Sequence, residues 1–122
     1  MAPFFPSDRD RLLLAFANLA SYGIAARDAY GEDAAEAHAA IAADLRLRHP
    51  HGLGSYVFWT RTDDDRFDAN GNLTAELTLH TGGHRTAEAV RTACALAGLE
   101  LAVDGEALRV LAEGQSLAHD GR

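Results

Sequence analysis

The chain has 122 residues, enough to bury one hydrophobic core, and its 48% hydrophobic and 24% charged content is ordinary for a globular domain. A formal net charge of −7 argues against general nucleic-acid binding, where phosphate neutralisation needs a basic face, and against an anionic membrane surface. All eleven basic residues are Arg, which with the heavy Ala content reads as the composition of a GC-rich genome.

In chain order, the first predicted helix starts at Ser7. Asp10 stands three residues on, as in a capping box, and Asp8 suits the positive helix end. Leu12, Leu13, Phe16, Leu19 and Ala20 supply an apolar stripe, and Gly23 ends it. A second helix is predicted within Glu32 to Arg48, with a stripe of Ala34, His38, Ile41 and Leu45; Arg46 and Arg48 fall in its last turn. HPHGLG, residues 49–54, breaks the pattern. The first predicted strand, Ser55 to Arg61, carries aromatic residues on both faces. An acidic loop then leads to a strand over Leu73 to His80, with Leu73, Ala75, Leu77 and Leu79 on one face and Thr74, Glu76, Thr78 and His80 on the other. A third helix is expected from Thr86 to Ala97, stopped by Gly98. Strands over Leu99 to Val103 and Ala107 to Ala112 flank Asp104-Gly105, a tight-hairpin signal.

The expected fold is a single α+β domain over residues 1–122, with an ordered core of 7–113 and a frayed tail at 114–122. Two N-terminal helices precede β-β-α-β-β, and a four-stranded, mostly antiparallel sheet carries its helices on one face. GIAARD at 23–28, SYVFWTRTDDD at 55–65, and LTLHTGG through AGLELAVDGEALRVLA together resemble a family of small bacterial domains of unknown function. That family has an AR segment before a cysteine-containing stretch, a GYVF strand and a C-terminal GLxV…DG hairpin. The resemblance covers about residues 23–112 and implies a fold without an activity. AYGEDA fills the family's cysteine positions, so a metal or redox role of those cysteines does not carry over.

Candidate chemistry is sparse. Asp63, Asp64, Asp65 and Asp68 with Asn70 and Asn72 offer oxygen ligands, yet placing Gly71 at the sixth position of a calcium loop makes Arg66 the first ligand. His80 and His84 bracket the TGG turn. A metal-binding protein or metal-dependent enzyme is the alternative reading, built on these two with the Asp63–Asp65 loop. Gly82, Gly83, His84 and Arg85 could bind an anion at the start of the third helix, although no phosphate-loop order is present. His38 reads as a partly buried histidine with a backbone partner, and Cys94 as a packed, inert thiol.

The outer sheet face draws more interest. Glu76, Thr78, His80, Glu100, Arg109 and Leu111 are expected to point outward, joined by Val57 and Trp59 unless Phe4 and Phe5 cover them. The expected function is therefore a non-enzymatic interaction or regulatory module that binds a protein partner or another copy of itself as a homodimer. Its contact residues would be Trp59, Glu76, His80 and Arg109, with no cofactor, nucleic acid or membrane involved. The N-terminus lacks a basic n-region, no apolar run nears the ~20 residues of a membrane span, and one cysteine forms no internal disulfide; cytoplasm is the expected compartment.

Overall fold

The computed structural model describes residues 6–50, 54–83, 85–104 and 107–112. Its elements are α1 (Asp8–Ser21), β1 (Ala25–Arg27), α2 (Ala34–Arg48), β2 (Tyr56–Phe58) and a 3-10 turn, η1 (Asp63–Arg66). They continue with β3 (Leu77–Gly82), α3 (Thr86–Leu96), β4 (Leu101–Asp104) and β5 (Ala107–Val110). The expected fraying of 114–122, the turn at Gly105 and the cover by Phe4 and Phe5 lie outside the described residues.

The α+β class holds, with five strands in place of the expected four, in the order β1-β2-β3-β5-β4. The added strand is β1, which runs parallel to β2 with Ala25, Ala26 and Arg27 opposite Tyr56, Val57 and Phe58. Every other pairing is antiparallel. The capping box of α1 forms as read: the Asp10 amide donates to Ser7 Oγ at 3.1 Å, and the Ser7 amide donates to Asp10 Oδ2 at 3.0 Å. The same helix end is stitched to the loop before β3, because Asp8 Oδ2 accepts from the Leu73 amide at 2.8 Å and Gly71 O accepts from the Arg9 amide at 2.9 Å.

The sheet separates two apolar clusters. On one side, Leu12, Phe16 and Leu19 of α1 and Val90, Ala93 and Cys94 of α3 pack over Val57, Leu77, Leu79, Leu108 and Val110. On the other, Ala37, Ile41 and Leu45 of α2 pack with Phe58, against Ala25, Tyr30 and Tyr56. The helices are thus divided between the faces rather than gathered on one. Strand alternation explains why β2 is apolar on both sides: Val57 serves the first cluster and Phe58 the second. The expected outward placement of Val57 and Trp59 is corrected by the same alternation. Both are fully buried on the α1/α3 side, and Tyr56 and Phe58 occupy the outer face.

Candidate functional site

Helix α2 is set over the β1–β2 side of the outer face, where its apolar partners all lie. Farther across the sheet, Thr78 of β3, Arg109 of β5 and Ala102 of β4 stand opposite one another in register and share that face. All three are half-buried. Arg109 Nη1 donates to both carboxylate oxygens of Glu76, at 3.1 and 3.3 Å. Two of the expected contact residues, Glu76 and Arg109, are therefore one ion pair on the half of the face that lies beyond α2.

Between the two halves runs a chain of polar side chains. Tyr56 and Phe58 of β2 face Gly82 and His80 of β3 across the ladder. His38 reaches down from α2, and its Nδ1 lies 2.6 Å from the Tyr56 hydroxyl. Its ring stands edge-on to His80 with centroids 6.0 Å apart, while His80 stacks on Phe58 at 5.0 Å. His80 Nε2 lies 3.0 Å from Asp63 Oδ2, which also accepts the Thr60 amide at 3.1 Å. Thr60 Oγ1 in turn accepts the Asp63 amide at 3.1 Å. This reciprocal pair has the pattern of a capping box at the entry to η1, and it holds the carboxylate against the imidazole.

The electrostatics follow from this packing. Burial disfavours the charged form of His38 and the facing His80 adds repulsion, so its pKa lies below 6.5. Burial raises the Tyr56 pKa, keeping the neutral phenol available as a donor to an unprotonated His38 nitrogen. For Asp63, burial pushes the carboxyl upward, but hydrogen bonds from His80 and Thr60 outweigh it and hold the pKa below 3.8. The His80 and Asp63 side chains keep 19% and 18% of their surface exposed, so solvent still reaches both.

Other expected site residues have structural duties. Trp59 is buried beside Phe16, and its indole N–H donates to Asp64 Oδ1 at 2.9 Å; the same oxygen takes Arg9 Nη2 at 2.6 Å. Trp59 is therefore a core residue and not a surface anchor. Gly82 lies beneath the Tyr56 ring, so closely that a Cβ there would sit 2.3 Å from Tyr56 Cζ, and Gly83 is pressed against Ser55. Arg85 takes a left-handed conformation before α3 without a side-chain cap, and His84 lies outside the described residues. The tight approaches account for both glycines without a bound anion.

The acidic loop divides its carboxylates among protein donors: Asp63 to His80, Asp64 to Trp59 and Arg9, and Asp68 to the amides of Asn70 and Asn72. Among the described residues no three His, Cys, Asp or Glu side chains form a metal-sized group. Cys94 is buried, with its thiol pushed up to about 12 by desolvation, in keeping with an inert core residue.

Sequence reasoning missed the joining of His38, Tyr56 and His80. For His38 it expected a backbone partner, where the structure places the Tyr56 hydroxyl. The available signal was the placement of His38 on the α2 stripe, in phase with Ile41 and Leu45. A second surface feature also went unread, an apolar groove between α1 and α3 lined by Leu19, Tyr22, Ile24, Ala89, Ala93 and Leu96. Tyr22 and Leu96 are largely exposed there. No helix among the described residues is long and apolar enough to cross a membrane.

No curated protein and no solved structure matches the chain. A family model described as a domain of unknown function, DUF6891, matches residues 5–112, nearly the whole length, and the chain belongs to that family.

Proposed function

We propose that this domain is a non-enzymatic interaction module that pairs with a second copy of itself through the half of the outer sheet face beyond α2. The observation that carries the proposal is the Glu76–Arg109 pair lying on that face beside Thr78 and Ala102. A side-by-side acid and base are self-complementary under a twofold axis, since rotation sets each Arg109 against the partner's Glu76. Thr78 and Ala102 are small enough to let a second sheet approach. A module of this kind acts through complementarity rather than through a reacting group, and opposite charges set register more than they set affinity.

Sedimentation equilibrium with charge reversals tests this reading. Glu76→Arg or Arg109→Glu alone should weaken self-association at least about tenfold, equivalent to ~1.4 kcal/mol, because like charges then meet across the axis. The double reversal restores opposite charges and should recover most of the loss. A wild-type protein that stays monomeric at high concentration would overturn the proposal, as would folded single variants that associate like the wild type.

A further inference from the structure

We infer that α2 is a proton-released cover: protonation of His38, which faces His80 across 6.0 Å, detaches the helix from β2 and β3 and uncovers the Tyr56–Phe58 strip. Three features of the fold support it.

The first is how lightly α2 is held. Its buried side chains are Ala37, Ile41 and Leu45, whose buried partner in the sheet among the described residues is Phe58, the one member of the four larger than Leu. Ile41 and Leu45 are the larger aliphatic anchors of the helix, so a charge arising on His38 beside them competes with a small apolar attachment. The principal core lies on the other side of the sheet and contains no α2 residue. Loss of α2 would leave that core packed.

The second is a hinge. The Tyr30 amide donates to Trp59 O at 2.8 Å and the Arg61 amide to Gly31 O at 3.0 Å, while Thr62 Oγ1 donates to Glu32 O at 3.0 Å. These bonds fasten the chain, up to Glu32, to the segment that joins β2 to η1. The helix begins only two residues later, at Ala34, so it can swing without unpicking β1.

The third is the set of groups around His38. From β2 it meets Tyr56 and Phe58, and from β3 it meets His80, behind which stands Asp63 of η1. The segment after β1 places Tyr30 against Phe58. β1 itself contributes Arg27, whose partner is Asp44 on α2 at 3.8 Å, and Arg48 also binds Asp44. The carboxylate nearest the imidazole pair therefore serves His80, and of the two on α2, Asp44 is engaged by two arginines while Glu36 lies exposed in the first turn. A proton arriving on His38 finds a histidine opposite it rather than an anion. Where Nδ1 accepts from the neutral Tyr56 hydroxyl, that proton reverses the bond, and the hydroxyl must turn its hydrogen away to accept from Nδ1.

The consequence for association rests on the interaction reading above, since the uncovered strip adjoins that face; the release itself does not. Amide hydrogen exchange on the whole chain, corrected for intrinsic rates, reads it directly. Between about pH 7.5 and pH 5, protection over Ala37–Leu45 should fall about tenfold or more relative to α1 and α3. His38→Gln, which stays uncharged, should leave α2 protection level across the same range. His80→Gln, which removes the facing imidazole, should shrink the fall, and it serves if His38→Gln does not fold. Equal losses in α1, α2 and α3 would overturn the inference, as would an undiminished fall in His38→Gln. A monomeric protein whose α2 opens with acid would sink only the interaction reading, whereas a dimer whose α2 is indifferent to pH would sink only this one.

Discussion

Tyr56 does two things at once, and the residue beneath it shows the cost. Its ring lies across Gly82 while its hydroxyl reaches His38, so the ring position depends on an absent Cβ in the neighbouring strand. Gly82→Ala should destabilise the domain by about 1–3 kcal/mol, because the methyl would meet the ring at sub-contact distance. The check is a double-mutant cycle read by urea denaturation. In a Tyr56→Ala background the same glycine change should cost much less, since the clash has gone. The glycine itself was visible in the sequence, but its reason was not: the TGG turn suggested backbone amides aimed at an anion, whereas the pressure comes from a side chain 26 positions earlier. Trp59 teaches a related lesson. Both faces of SYVFWTR are apolar, so alternation states that neighbours point in opposite directions without saying which set meets the larger core. Only the division of helices between the faces decides it, and that division places Tyr56 and Phe58 under α2.

Elements with local signals were legible, and those defined by long-range pairing were not. α1 begins at its capping box and α3 spans nearly its expected range, because caps and a stop glycine act within a few residues. β1 has three residues, two of them Ala, and no propensity of its own; it exists because β2 pairs with it. The face chosen by α2 was equally hidden, since an apolar stripe fits either side of a sheet. That choice creates the Tyr56–His38–His80–Asp63 chain and with it a two-step acid response. His38 has its pKa depressed below 6.5 by burial and by His80, so its contribution is complete above 6.5 and is lost as pH falls from there toward its folded value. Asp63 is held below 3.8 despite burial, by His80 and Thr60, so its contribution is present above 3.8 and is lost as pH falls through its own folded value. Urea midpoints measured against pH should accordingly decline in two windows. His38→Gln should remove the upper decline, and Asp63→Asn should remove the lower one. A single decline shared by all three proteins would refute this assignment.

At the scale of the whole molecule, one sheet carries two unequal cores, and Cys94 reports on the larger. Its thiol is buried between α3 and the sheet, and desolvation pushes it up to about 12, so the native state presents neither access nor thiolate to a reagent. Labelling must then wait for the α1/α3 core to open. The rate should follow global unfolding, with the steep denaturant dependence of a transition that exposes most of the chain. Detachment of α2 leaves the cysteine covered, because no residue of that helix takes part in the core around it. A disulfide reagent that reacts under mildly acidic conditions, applied at about pH 5 where His38 is driven toward its charged form, should therefore label Cys94 no faster than the global opening rate measured there, even as exchange over Ala37–Leu45 accelerates. Parallel acceleration of both signals would mean that the sheet transmits the loss of α2 to its opposite face, making the molecule one cooperative unit. Separation of the two would show that Val57 and Phe58, adjacent in sequence and opposite in direction, belong to parts of the fold that open independently.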